Sequence, residues 1–211
     1  MARIKEKPKI VHRATTLEYL FCLADMQKWS QVLLEQNSIK AYNKFLNWIL
    51  EKQYFKDDEK ISIKKIAELS GYPSVKISKW LREIYSDILE LNELNPQLFC
   101  FAGDVQVQFH FKYFDNYGSF TTSLAVTPRI YETVDFFFIK AEMGSSSFWV
   151  KDVRHIIGED KKYVLIILSG ESLNIYREFA LSKALFEGTI NFMDVYRKYE
   201  FEIDEYLLKR R

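Results

Sequence analysis

Residues 63–82 read Ile63-Lys64-Lys65-Ile66-Ala67-Glu68-Leu69-Ser70-Gly71-Tyr72-Pro73-Ser74-Val75-Lys76-Ile77-Ser78-Lys79-Trp80-Leu81-Arg82. Gly71 and Pro73 punctuate an otherwise helical stretch. Glycine takes positive φ without a steric penalty, and proline suits the first turn of a helix, where no backbone donor is needed. Two helices joined by a tight turn follow. Between Lys60 and Arg82 stand six positive residues (Lys60, Lys64, Lys65, Lys76, Lys79, Arg82) and one negative (Glu68), a net +5 in a chain whose total is +1. The first 13 residues carry a further +4, from Arg3, Lys5, Lys7, Lys9 and Arg13 against Glu6. Charge collected on a helix pair and an N-terminal arm is what phosphate neutralisation requires.

Outward from this stretch, helical spacing recurs in both directions. Leu17, Leu20, Phe21 and Ala24 form one apolar series and Ile39, Tyr42, Phe45, Leu46 and Ile49 another, with Ser38 the expected N-cap of the second. The helix that begins near Ser74 continues to about Leu91. After Asn95-Pro96 the period changes to two: Val105, Val107, Phe109, Phe111 and Tyr113 alternate with Gln106, Gln108, His110 and Lys112, a strand with one buried face. Asp115-Asn116-Tyr117-Gly118 reads as a hairpin turn into a strand from Phe120 to Val126. Further strands are expected at Tyr131–Ile139 and Tyr163–Leu168, and helices from Glu171 and over Val195–Leu208. The expected fold is α+β, divided near residue 97: a helical domain over 1–97, and a β-sheet domain covered by helices over 98–211.

The stretch 63–82 resembles the helix-turn-helix of bacterial DNA-binding regulators. Ala67 stands where that motif carries a small residue at the helix crossing, and Gly71 stands four places later at its turn. Ile66, Tyr72, Ile77 and Trp80 occupy the apolar positions that seal the two helices. By position, the resemblance turns Ser74, Lys76, Ser78, Lys79 and Arg82 toward the duplex. Arg82 or Lys79 would reach guanine O6 and N7, the serines and Lys76 would hold phosphates, and Lys64 and Lys65 would contact the backbone. Glu83, Asp87, Glu90 and Glu93 then make a −4 stretch that must turn away from phosphate. A wing, as in winged-helix domains, could follow, with Leu98-Phe99-Cys100-Phe101 and the residues from Val105 onward as its strands and Ala102-Gly103-Asp104 as its turn. Equally, Val105–Tyr113 could open the C-terminal sheet.

Composition narrows the remaining classes. With 48% hydrophobic residues and 34 aromatic ones (17 Phe, 13 Tyr, 4 Trp), the chain buries a sizeable core and is not of the disordered class. Residues 99–149 hold 14 of those rings, which read as sheet core; Phe136 to Phe138 cannot all face one side of a strand, which implies cover on both faces by helices or a second subunit. Cys22 and Cys100 sit in apolar stretches and read as buried thiols. The longest apolar runs fall short of a membrane span, and a cytoplasmic location is expected. Of His12, His110 and His155, none has a partner at metal-ligand spacing, although Asp152 and His155 would meet on a helix. Ser169-Gly170-Glu171-Ser172 reads as a strand-to-helix turn capped by a serine, and Gly144–Ser147 as a loop. Neither metal nor cofactor is expected, nor an enzyme, nor a membrane partner; no small-molecule effector is indicated. The expectation is a sequence-specific duplex-DNA-binding transcriptional regulator that acts as a homodimer through its C-terminal half. The competing expectation is a protein-interaction or assembly module, of phage or mobile-element type, whose helical hairpin binds a protein.

Overall fold

The computed structural model describes residues 11–37, 39–52, 62–100, 105–158, 162–198 and 200–208. The first ten residues, Ser38, the acidic cluster Asp57-Asp58-Glu59, Lys60 and the turn Ala102-Gly103-Asp104 therefore lie outside the described residues. The chain forms two compact units, Met1–Glu171 and Ser172–Arg211, so the division expected at residue 97 falls inside the first unit.

In that unit the helices are α1 (Thr16–Ala24), α2 (Gln27–Gln36), α3 (Asn43–Glu51), α4 (Ile63–Ser70) and α5 (Ser74–Leu94). After a 3₁₀ turn at Pro96–Phe99 come β1 (Val105–Tyr113), β2 (Asn116–Leu124) and the short β3 (Thr133–Asp135). A second 3₁₀ turn at Phe137–Ile139 leads into α6 (Lys140–Met143), and β4 (Ser147–Ile157) and β5 (Lys162–Ser169) complete the unit. The strands make one mixed sheet in the order β2-β1-β5-β4-β3, in which only β1 and β5 run parallel.

Helices and sheet share a single hydrophobic core. Leu20, Leu23, Phe45, Ile77, Ile84 and Ile88 from the helices belong to one buried cluster with Val107, Phe109, Phe111, Phe120, Ile166 and Leu168 from the strands. Trp29 of α2 is the hinge of this contact, with its ring centroid 4.5 Å from Phe120 and 4.9 Å from Phe138. On the other sheet face, Gln106, Gln108, Lys112, Leu165 and Ile167 are half-buried and His110 is exposed.

The alternation in β1 is as expected, and β1 pairs with both β2 and β5, so it belongs to the sheet and not to a wing. Leu98 and Phe99 form a 3₁₀ turn where a first wing strand was considered. The hairpin turn is at Phe114-Asp115, one step before the expected site, with Phe114 at φ +50°. Gly118 is already in the strand. A Cβ there would come within 3.2 Å of the Met143 sulfur, so its glycine serves a close approach and not a turn.

Other differences have equally local causes. The expected strand Tyr131–Ile139 shrinks to Thr133–Asp135, because the chain coils at Phe137–Ile139 and releases its rings in different directions. Phe136 is buried, Phe138 lies tilted against Phe120 at 4.8 Å and Phe137 is 60% exposed, so no cover on a second face is required. The loop expected at Gly144–Ser147 holds as far as Ser146, and β4 takes up the segment where Asp152 and His155 would have met on a helix. Asp152 binds Arg154 at 2.6 Å along the strand, and His155 is exposed three residues on.

The edge of the sheet at β2 is closed by α5. Buried Asn92 donates from Nδ2 to the Thr121 carbonyl (2.7 Å) and accepts the Thr121 N–H at Oδ1 (2.8 Å). The carboxamide thus satisfies both outward backbone groups of Thr121 in the middle of the edge strand. Thr122 Oγ1 adds a bond to the Phe99 carbonyl at 3.0 Å. The second unit consists of α7 (Ile175–Phe186), α8 (Phe192–Arg197) and α9 (Glu200–Leu208) around Ala184, Ile190 and Ile203. Asn174 caps α7, accepting the Arg177 N–H, where a serine was expected. Among the described residues no helix is long and apolar enough to cross a membrane.

Truncating Asn92 to alanine leaves two buried backbone groups unpaired, each costing about 1–3 kcal/mol. Urea denaturation of Asn92→Ala is expected to show a loss of about 2–4 kcal/mol, and a loss under 1 kcal/mol would refute the edge-closing role.

Candidate nucleic-acid interface

Local chemistry accounts for the α4–α5 pair. Ser62 caps α4 by accepting the Lys65 N–H. Gly71 ends the helix in the left-handed region (φ +74°), with its N–H bound to the Ala67 carbonyl at 3.0 Å. Nothing lies within 4 Å of where a Gly71 Cβ would be, so glycine is there for its backbone freedom and not for space. Pro73, extended at φ −60° and ψ 140°, is the N-cap of α5, one place earlier than a first-turn proline.

The expected seals are brought together. Ile66, Ile77 and Trp80 are buried, and Tyr72 lies edge-on to Trp80 at 4.9 Å. Phe45 of α3 meets both rings, at 6.1 Å from Tyr72 and 5.5 Å from Trp80. This aromatic cluster fixes α3, α4 and α5 as a group. Ala67 is half-buried against the core.

With one side of α5 committed to the core through Ile77, Trp80, Leu81, Ile84, Tyr85 and Ile88, the opposite side of its first three turns faces solvent. Lys79 and Arg82 are exposed there, Lys76 is exposed at one edge beside Trp80, Ser78 is half-buried on the other, and Ser74 is exposed at the helix start on the line of Leu81 and Tyr85; Lys64 and Lys65 are exposed on α4. The long cations are steered by their neighbours. Lys76 Nζ stands 4.6 Å from the Trp80 ring and 5.7 Å from Tyr72, Arg82 lies 5.8 Å from the Tyr19 ring, and Lys79 reaches Glu83 at 3.5 Å. Lys64 reaches Glu68 at 4.0 Å. Exposed i,i+4 pairs of this kind are worth about 0.3–0.5 kcal/mol, so they yield readily to a competing anion.

The acidic continuation of α5 is partly neutralised from its own side. Asp87 accepts the Tyr42 hydroxyl at 2.5 Å and the Lys40 ammonium at 3.0 Å, and its carboxylate raises the pKa of Lys40; burial first, then Asp87, pushes the Tyr42 hydroxyl up. Glu90 and Glu93 stay exposed further along. Glu83, paired with Lys79, lies among the basic residues, whereas Glu90 and Glu93 follow Arg82 by 8 and 11 residues, about 12 and 16 Å along the helix.

One residue on this surface escaped the sequence reading. Val75, second in α5, is 84% exposed between Ser74 and Lys76. A β-branched apolar side chain on the polar arc of a helical wheel was the available signal. Elsewhere, His12 is anchored: its backbone N–H binds Asn116 Oδ1 at 3.1 Å, its ring packs on Gly144, and Nε2 lies 3.2 Å from Glu18. Cys22 is buried between the Phe137 carbonyl and the Ala141 N–H, and burial pushes its thiol up to about 11, which makes it inert. Among the described residues no group of three or more His, Cys, Asp or Glu could hold a metal ion.

No protein-family model, curated protein or solved structure matches this chain.

Gly71→Ala adds a Cβ to a left-handed residue with free space around it, so the cost is backbone strain alone, about 1–2 kcal/mol. Thermal melting should register that loss without any change in the near-UV signal of the Tyr72–Trp80 cluster. A neutral or stabilising result would contradict the left-handed turn.

Proposed function

We propose that the chain binds duplex DNA in a sequence-specific manner through α4 and α5, as helix-turn-helix transcriptional regulators do, and that it acts as a homodimer. The observation that carries this reading is the solvent-facing side of the first three turns of α5, where Val75, Lys79 and Arg82 stand together, with Lys76 at its edge and Ser74 exposed at the helix start. A helix N-terminus adds its own partial positive charge at the same end. The surface has the chemistry of a major-groove reader: cations for phosphate and guanine, hydroxyls for phosphate, and an apolar side chain for a thymine methyl. Val75 takes that last role, Arg82 and Lys79 reach guanine, and Ser74, Ser78 and Lys76 hold phosphates. Lys64 and Lys65 contact the backbone from α4.

A single such helix reads only a few base pairs, so useful specificity calls for two copies on half-sites about one helical turn apart. Glu90 and Glu93 then mark where α5 leaves the duplex.

Fluorescence anisotropy with a duplex enriched by in vitro selection tests the interface. Lys79→Ala combined with Arg82→Ala should weaken binding by about 10- to 100-fold and flatten the log-log salt dependence by up to about 2 units. Val75→Ala should alter preference at one T·A position and leave the salt dependence intact. Absence of salt-sensitive duplex binding at low ionic strength, or indifference to the double substitution, overturns the proposal.

A further inference from the structure

The second compact unit presents an apolar stripe that its own core does not use. Ile175, Phe179 and Phe186 are 50%, 69% and 92% exposed. At 100° per residue they fall, with exposed Ser182, within an arc of about 60° on α7, at steps of four, three and four residues. The 3.5-residue repeat is that of a helix seam made for another helix. The far side of α7 is already occupied within the unit. Ala184 is buried, Leu181 and Leu185 pack with Ile190 and Ile203, and Arg177 binds Asp204 at 2.6 Å.

We propose that this stripe is a self-association seam, in which α7 pairs in parallel with α7 of a second copy of the chain. Charge placement selects both the occupant and the direction. Glu178 flanks the stripe on one side and Lys183 on the other, five residues further along. Parallel pairing of identical helices brings opposite flanks together at that offset, so Glu178 of each copy meets Lys183 of the other, twice over. Antiparallel pairing brings like flanks together. The flank that holds Glu178 also holds Asn174, Leu181 and Leu185, with no cation among them. Within one chain Glu178 rests 3.7 Å from Arg177, and Lys183 rests 3.7 Å from Glu187, exposed or half-exposed contacts that exchange easily.

Twelve residues make a seam about 18 Å long, which buries less than the roughly 1,600 Å² of a standard interface. The pairing is therefore reversible, with a Kd in the micromolar range. It rests on the homodimer part of the function proposed above and supplies its surface; it does not depend on DNA.

Sedimentation velocity of the full chain from about 1 to 300 µM tests the seam. The wild type is expected to pass from monomer to dimer across that range, and Phe179→Lys with Phe186→Lys to stay monomeric throughout. Glu178→Lys alone should weaken the dimer about tenfold, and Glu178→Lys with Lys183→Glu should recover it to within about twofold. Helical circular dichroism checks the fold; if the lysine pair unfolds the unit, the charge exchange decides. Ser182→Cys should form a disulfide between the two 182 positions under mild oxidation, as only parallel alignment sets them face to face. A wild type that is monomeric at every concentration overturns the seam and the homodimer together. A dimer indifferent to the lysine pair and the charge exchange overturns the seam alone. Salt-sensitive duplex binding, measured separately on the monomeric variant, stands or falls on its own.

Discussion

The long helix α5 is the member on which the rest of the first unit depends, and the double hydrogen bond between Asn92 and Thr121 sets its position. At its C-terminal end that carboxamide joins the helix to the backbone of the edge strand β2. Along its middle, Ile84, Tyr85 and Ile88 are buried in the core shared with the strands. At its N-terminal end the Tyr72–Trp80–Phe45 cluster holds α3 and α4 against it. A 21-residue helix gripped in this way cannot rotate about its axis without breaking both ends. The orientation of Lys76, Lys79 and Arg82 is thus a property of the core, and not of the surface residues themselves.

Two of the local devices were legible in the sequence because they rest on near-unique residue chemistry. Gly71 supplies a left-handed backbone that other residues resist, and the alternation in β1 has no helical equivalent. What stayed hidden depends on partners remote in sequence. Gly118 reads as a turn glycine until Met143 is seen beside it. β4 escaped notice because the pairing with β5 that makes Ser147–Ile157 a strand is not written in either segment alone. Asn92, on the inner side of a helix, reads as a poor core residue; only the edge of β2 explains it. The continuous core across residue 97 escaped notice for the same reason, since a change of period along the chain marks a change of element and not an end of packing.

The candidate interface divides in the same way. Its basic residues were evident from local charge, and the structure leaves Lys64, Lys65, Lys76, Lys79 and Arg82 exposed, with Ser78 half-buried beside them. Missing from the sequence account was Val75, whose exposure is informative because burial cannot explain it. The acidic half of α5 gains a physical explanation too. Asp87 is drawn into contact with Tyr42 and Lys40 and Glu83 pairs with Lys79, which leaves Glu90 and Glu93 as the exposed acidic residues further along the helix. In the second unit, the exposed stripe on α7 is the corresponding anomaly: large apolar side chains that the core of that unit does not use.

Selection of bound duplexes from a fully random library by the full-length chain tests the central claim most directly. The account predicts strong enrichment of two related half-sites, repeated about 10 to 10.5 base pairs apart as the two recognition helices of a dimer require. Recovery of sequences no different from the input library would contradict it.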